Sequence, residues 1–182
     1  MQKRLLLGNP QLGITLGRLC QQLIENHSSF ENTVILGLQP RGSFLAKRIQ
    51  KRLEELTGKT IKLGLLDTTF FRDDFRRRDS PVKANETKID FLIEGKQVIL
   101  IDDVFYTGRS VRAALDAMTA FGRPAKVELL SLIVRKYAKH VPIYPDYIGT
   151  EVNTLDTQRV SVYWTEQEGV EEDSIWLTNK ED

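Results

Sequence analysis

Cysteine and histidine are scarce in this chain. Cys20 is the one thiol, and His27 and His140 are the two imidazoles. A lone thiol closes no internal disulfide, and Cys20 falls on the apolar stripe of a helical segment, where it reads as a small core residue. So few soft ligands leave no donor set for a structural zinc ion. Long apolar runs are absent as well, so no segment is suited to span a membrane. Lys3 and Arg4 precede Leu5-Leu6-Leu7, but Gly8-Asn9-Pro10 ends that run far short of a signal peptide's apolar region. The expected compartment is therefore the cytoplasm. Neither the G-x-x-x-x-G-K-[ST] of a nucleoside-triphosphate loop nor the G-x-G-x-x-G of a dinucleotide fold occurs. There is no Ser/His/Asp or Cys/His constellation for nucleophilic catalysis, and no internal repeat.

What is present is an ordinary globular composition, 41% hydrophobic and 28% charged, on a length that suits one domain, residues 1–182. The net charge of +1 conceals an asymmetry. Residues 159–182 carry two basic and seven acidic side chains, a net −5, which leaves +6 for the rest. A basic body suits a polyphosphate or a nucleic acid, although most of its Lys and Arg read as solvated helix faces.

The most informative stretch runs from Val98 to Ser110. Val98-Ile99-Leu100-Ile101 leads straight into Asp102-Asp103. An unbroken apolar run of this kind predicts a central strand buried on both faces. The carboxylates then stand at its C-terminal end, where an open α/β sheet binds its ligand. Val111, Ala114, Leu115, Met118 and Phe121 recur at helical spacing. The loop between therefore ends on a helix N-terminus, whose free backbone N–H groups favour an anion. Gly108 lets the backbone come close, and Thr107 and Ser110 add hydroxyl donors. A phosphate cradle beside two carboxylates that accept from vicinal hydroxyls matches a ribose 5-phosphate.

Leu12, Leu16, Leu19, Cys20, Leu23 and Ile24 make the first element an amphipathic helix. A strand over Thr33–Leu38 turns at Gln39-Pro40-Arg41-Gly42 into a second helix with Phe44, Leu45, Ile49, Leu53 and Leu56 as its stripe and Thr57-Gly58 as its end. Backbone amides and a guanidinium at that corner suit a pyrophosphate. Thr60–Leu66 predicts a third strand. From Asp67 to Leu92 no period holds, and the aromatic, charge-dense run from Phe70 to Pro81 reads as either a functional segment or a disordered basic loop. Thr68–Phe71 and Ile89–Phe91 are expected to be the two arms of a flexible β-hairpin flap over the site. Lys126–Val134 is a strand, with Arg135-Lys136-Tyr137 opening a loop at its ligand-binding end. Tyr147-Ile148 and Val160–Trp164 are short strands, and Ile175-Trp176-Leu177 is an edge strand or a docked tail. Strands alternating with helices predict an α/β fold, a mostly parallel twisted sheet flanked by helices on both faces.

These residues resemble the pyrimidine operon attenuation protein/uracil phosphoribosyltransferase family. The segments that carry the resemblance are Val34–Leu38 with Arg41-Gly42 and Leu45-Ala46-Lys47-Arg48; Phe71-Arg72-Asp73-Asp74; residues 98–118, with Tyr106-Thr107-Gly108-Arg109 and Val111-Arg112-Ala113; Gly122-Arg123-Pro124; and Pro142-Ile143 with Asp146-Tyr147-Ile148-Gly149. The resemblance implies a type I phosphoribosyltransferase fold with a small hood. It implies transfer of the phosphoribosyl group of phosphoribosyl pyrophosphate (PRPP) to a pyrimidine base, first of all uracil, giving UMP and pyrophosphate. Regulation of pyrimidine genes through a messenger-RNA leader goes with it, as does a homodimer or higher homo-oligomer and no membrane partner. By position, Asp102 and Asp103 would hold the ribose hydroxyls. Val104, Phe105, Tyr106, Thr107, Gly108, Arg109 and Ser110 would wrap the 5-phosphate, and Pro40, Arg41 and Gly42 would take pyrophosphate. Arg72 and Asp73 would sit on the flap, and Arg135, Lys136, Tyr137 and Val160 on the base side. The implied cofactor is Mg²⁺, held mainly through PRPP, with Asp102 the side chain considered for it. The family reads Asp-Arg-Gly-His-Arg-Glu where this chain has Arg135–His140, which leaves a purine acceptor open. An RNA-binding attenuator that senses nucleotides with weak or no catalysis stays open too.

Overall fold

The computed structural model describes residues 3–72, 84–167 and 169–179. In chain order the elements are β1 (Lys3–Leu7), α1 (Gln11–His27), β2 (Thr33–Leu38), α2 (Gly42–Thr57), β3 (Lys62–Leu66), β4 (Gln97–Phe105), α3 (Arg109–Met118), β5 (Lys126–Lys136), β6 (Tyr147–Asn153), β7 (Gln158–Tyr163) and β8 (Ser174–Asn179). β3-β2-β4-β5-β6 form one sheet in that order, and every pairing in it is parallel.

Alternation explains why the central strands are apolar throughout. Ile35, Ile99, Ile101, Leu130 and Leu132 join a core with Leu12, Leu19, Leu23, Leu45, Ile49 and Leu53 of α1 and α2. Their neighbours Val34, Leu36, Leu38, Val98 and Leu100 turn the other way, to Val111, Ala114, Ala117 and Met118 of α3. Both faces are covered, so the runs Val34–Leu38 and Val98–Ile101 carry no polar side chain.

The hood is a three-stranded antiparallel sheet in the order β1-β8-β7. Its Val160, Val162, Trp164, Ile175 and Leu177 belong to the same buried cluster as α1 and α2. Arg48 of α2 fastens the hood. Its guanidinium lies 4.5 Å from the Trp164 ring centre and donates to Glu166, Asp173 and Thr165.

The structure departs from the sequence-based expectation at several places, among them the end of β5, which takes in Arg135 and Lys136 rather than releasing them into a loop. α1 is preceded by β1, whose partner β8 lies at the far end of the chain, so nothing local announces it. Ile175-Trp176-Leu177 is in the middle of the hood sheet, not at an edge. β4 runs on past the carboxylates to Phe105 because β5 pairs with it as far as Val134. The hairpin flap fails at its first arm, since Thr69–Phe71 is a 3-10 turn. Asp67 explains this: it accepts from the Thr69 hydroxyl at 2.9 Å and the Thr69 N–H at 3.3 Å, a local bond that coils the chain. Lys88 makes one isolated antiparallel bridge with Leu65, and Ile89–Phe91 lies outside any strand. The remainder of the expected flap, Asp73–Pro81, lies outside the described residues.

At the pole opposite the strands' C-terminal ends, His27 closes α1 inside a buried polar cluster. Its Nε2 lies 2.8 Å from Glu128 Oε2 and its Nδ1 3.1 Å from Thr33 Oγ1. Lys126 donates to Glu128 at 2.7 Å, and the Tyr147 hydroxyl faces both His27 and Glu128. Burial lowers the His27 pKa, and Glu128 opposes that shift without cancelling it. A histidine held neutral in the folded state binds protons preferentially when unfolded, so its contribution weakens as pH falls below the unfolded value of about 6.5. Urea unfolding is expected to show a falling midpoint between pH 7 and pH 5, with a shallower fall in His27→Gln. Equal slopes in the two proteins would show that His27 carries none of the effect.

Candidate active site

β2 hands the chain to β3 on one side, and β4 occupies the other side of β2. In an open parallel sheet this reversal leaves a crevice between the two strands' C-terminal ends. The Pro40-Arg41-Gly42 corner leaves β2 there, and the carboxylates with their loop occupy the end of β4. Gly42 brings the two together. A Cβ on it would fall 2.6 Å from the Ile101 carbonyl oxygen and 3.1 Å from Asp102 Cα, so only glycine lets the corner lie on the carboxylate strand. Ser43 fixes the turn by donating to the Pro40 carbonyl at 2.6 Å.

Asp102 accepts from the Asp103 N–H at 2.9 Å, and Asp103 accepts from the Val104 N–H at 2.8 Å. These bonds hold each carboxylate against its own backbone. The second oxygen of Asp103 is buried and has no hydrogen-bond partner among the described residues. Burial, then the neighbouring Asp103 charge, pushes the Asp102 carboxyl well above the usual range. Burial also raises Asp103, against the pull of the Arg41 guanidinium. Two adjacent acids that resist ionisation together are poised to gain from donors or a cation.

The loop behind them is short and braced. Gly108 stands at the N-cap of α3 in the left-handed conformation, φ 84°. The Arg109 N–H faces the Thr107 hydroxyl at 3.4 Å, and the His140 N–H donates to the Thr107 carbonyl at 2.8 Å. Arg72 donates to the Ser110 hydroxyl at 3.0 Å. Arg72, Asp102, Val104–Gly108, Ser110 and Val111 line a cavity of about 140 Å³. Arg109 is exposed and is not on that lining, and Asp73 lies outside the described residues.

The base-side candidates divide. Arg135, Lys136 and Tyr137 line a second cavity of about 330 Å³ with Phe105, Lys139, Tyr144 and Glu151. Lys136 pairs with Glu151 at 3.0 Å, and Tyr137 is 93% exposed. The Arg135 guanidinium is committed to Tyr106, Thr154 and Leu155. Val160 packs inside the core and lines neither cavity. Sequence reasoning passed over two structural parts of the site. His140 as a brace on Thr107 had no signal in the sequence. Ser131, whose hydroxyl accepts from the Phe105 N–H and donates to the Ile133 carbonyl, announced itself only as a lone polar residue in an apolar strand.

Residues 5–167 match the family described as phosphoribosyl transferase domain. The chain is 41% identical over 176 residues to the Bifunctional protein PyrR of Desulfosudis oleivorans, covering 96% of each chain. It is 42% identical over 165 residues to the Pyrimidine operon regulatory protein of Lactococcus lactis subsp. cremoris, covering 91% of this chain and 90% of that one. Among solved structures it is similar to HGPRT-ase from Leishmania tarentolae in complex with GMP. The TM-score is 0.69 over 98% of this chain and 99% of that one, and at 15% identity the likeness is one of fold.

Gly42→Ala is expected to force the corner off β4. Overpacking of this kind costs about 1–3 kcal/mol in urea unfolding, and displacement of the corner should weaken pyrophosphate binding roughly tenfold by calorimetry. Unchanged stability and affinity would show that the corner has room to recede.

Proposed function

The chain belongs to the pyrimidine operon attenuation protein/uracil phosphoribosyltransferase family, and from that premise we propose that it transfers the phosphoribosyl group of PRPP to a pyrimidine base, uracil foremost. The observation that carries the reading is the meeting of two βα corners at one switch point. One corner brings Arg41 and backbone amides, and the other brings paired carboxylates that continue into an anion-binding helix start.

In this reading Asp102 and Asp103 accept hydrogen bonds from the ribose 2- and 3-hydroxyls. Backbone N–H groups of the loop, with the Thr107 and Ser110 hydroxyls, take the 5-phosphate. Arg41 grips the pyrophosphate, and Arg72 adds positive charge at Ser110. The C1–O bond breaks with its electron pair leaving on pyrophosphate. A ring nitrogen of the base then bonds to C1, and its N–H proton is released. No side-chain nucleophile takes part. The acceptor base is assigned to the loop that leaves β5, where Lys136 and Tyr137 line a cavity that shares Phe105 with the phosphate cradle.

Mg²⁺ fits this donor set. Asp103 keeps an unpartnered buried carboxylate oxygen, and hard cations take oxygen ligands. Among the described residues no group of three or more His, Cys, Asp or Glu forms a complete cation site. Asp102 and Asp103 would therefore hold the ion together with substrate oxygens, and when bound it would neutralise charge on the pyrophosphate.

We further infer that the protein regulates pyrimidine genes by binding a messenger-RNA leader. The names of its relatives and the positive charge of residues 1–158 support this. Affinity for such a leader should fall steeply with added salt; a flat response, or no binding, rejects the regulatory part alone.

The enzymatic part is tested by pyrophosphate release with Mg²⁺, PRPP and a panel of uracil, hypoxanthine and guanine. Turnover with uracil above the purines is expected. No turnover with any base, together with no PRPP binding, would reject the assignment. Asp103→Asn should preserve the fold and weaken PRPP binding by roughly tenfold or more, as expected when a hydrogen bond to a charged group is lost. Because the ionised carboxylates are the stronger acceptors and burial raises both pKa values, PRPP affinity should climb with pH through a range above the ordinary carboxylate value of about 4. Asp103→Asn should flatten that climb, and an unchanged profile would remove the role.

A further inference from the structure

Arg135 is only 5% exposed, and buried charges are ordinarily paired with an opposite charge. Among the described residues it has no carboxylate within ion-pair distance. Its Nε donates to the Thr154 hydroxyl at 2.8 Å, and its Nη2 donates to the Leu155 carbonyl at 2.9 Å. Both acceptors lie in the turn between β6 and β7. The flat face of the guanidinium lies 3.8 Å from the ring centre of Tyr106, in the middle of the phosphate loop. The Tyr106 hydroxyl reaches the same turn, 3.3 Å from Asp156. Loop and turn, about fifty residues apart in sequence, are thus joined through one side chain.

We propose that Arg135 is a positioning residue for PRPP, acting through Tyr106 to hold the phosphate loop in its binding stance. This rests on the phosphoribosyltransferase reading and gives that site a support that the resemblance did not supply, since the family reads Asp at this position. Two features of arginine suit the task. Its planar fork satisfies two acceptors in one turn while its face stays free to stack, which an ammonium cannot reproduce. Its charge, which the Asp156 carboxylate offsets only from beyond ion-pair distance, also lies beside a loop that takes an anion, so ligand phosphate adds a second source of negative charge. Its Nε and Nη2 are thus engaged in the β6–β7 turn while the side chain also lines the cavity assigned to the base.

The test is a double-mutant cycle between Arg135 and Tyr106, read as KM for PRPP and kcat separately. Arg135→Met and Tyr106→Leu should each raise KM for PRPP about tenfold, with kcat changed by less than about threefold, an interaction of the size neighbours in contact show. The double variant should be no worse than the poorer single. Arg135→Lys should recover only part of the loss, and Tyr106→Phe, which keeps the ring but gives up the hydroxyl bond to Asp156, should raise KM less than Tyr106→Leu does. Should Arg135→Met not fold, the part-exposed Tyr106→Leu and the Arg135→Lys variant carry the comparison. A lowered thermal midpoint with unchanged KM, or strictly additive effects, would make Arg135 a structural residue and overturn the proposal while leaving the enzymatic reading intact. A parent protein that binds no PRPP would overturn both.

Discussion

Two adjacent carboxylates on a central strand, Asp103 buried and Asp102 half-buried, are a standing electrostatic cost. Asp102 and Asp103 lie where β4 is still hydrogen-bonded to β5, and burial raises the pKa of both. The backbone N–H groups that each accepts from are too few to satisfy them, and among the described residues one oxygen of Asp103 accepts from no donor. The rest of the molecule is arranged around that unmet demand. Gly42 carries the Arg41 corner onto the same strand, and Gly108 turns the chain into a helix whose free amides face outward from it. Strain of this kind is expected at a site that gains from its ligand and is otherwise sustained by a large core.

That core has a specific geometry. β2, β4 and β5 are apolar on both faces because α1 and α2 cover one and α3 the other. The same α2 that begins at the Arg41–Gly42 corner holds the hood through Arg48, which stacks on Trp164 and bonds Glu166 and Asp173. One helix thus links the corner assigned to pyrophosphate with the small antiparallel sheet. The loop on the other corner is linked to the β6–β7 turn by Arg135. Each half of the site is therefore braced by a buried or half-buried arginine that has no place in the chemistry.

Much of this was legible before any coordinates. The run from Val98 to Asp103 announced a doubly covered strand, and the helical spacing from Val111 to Met118 announced what followed it; both stand as read. Local signals of this type survive because burial and periodicity are written into neighbouring residues. What failed had a different cause. β1 depends on a partner some 170 residues away, and no window of sequence contains that pairing. The hairpin arm at Thr68–Phe71 looked like a strand from its β-branched and aromatic content, but the Asp67 side chain captures Thr69 and coils it. Arg135 sat at the right end of the right strand for a base reader. The structure keeps Arg135 on the lining of the cavity assigned to the base and adds a contact with Tyr106 that spacing did not announce. Side-chain direction at a strand's end is set by tertiary neighbours, so spacing alone could not assign it.

The account turns on the claim that the end of β4 and the start of α3 grip a phosphorylated ribose. A crystal structure of the protein soaked with PRPP or a nucleoside monophosphate tests it most directly. The account predicts phosphate oxygens on the amides between residues 104 and 110 and sugar hydroxyls on Asp102 and Asp103. Ligand density lodged elsewhere, with that crevice empty, would contradict it.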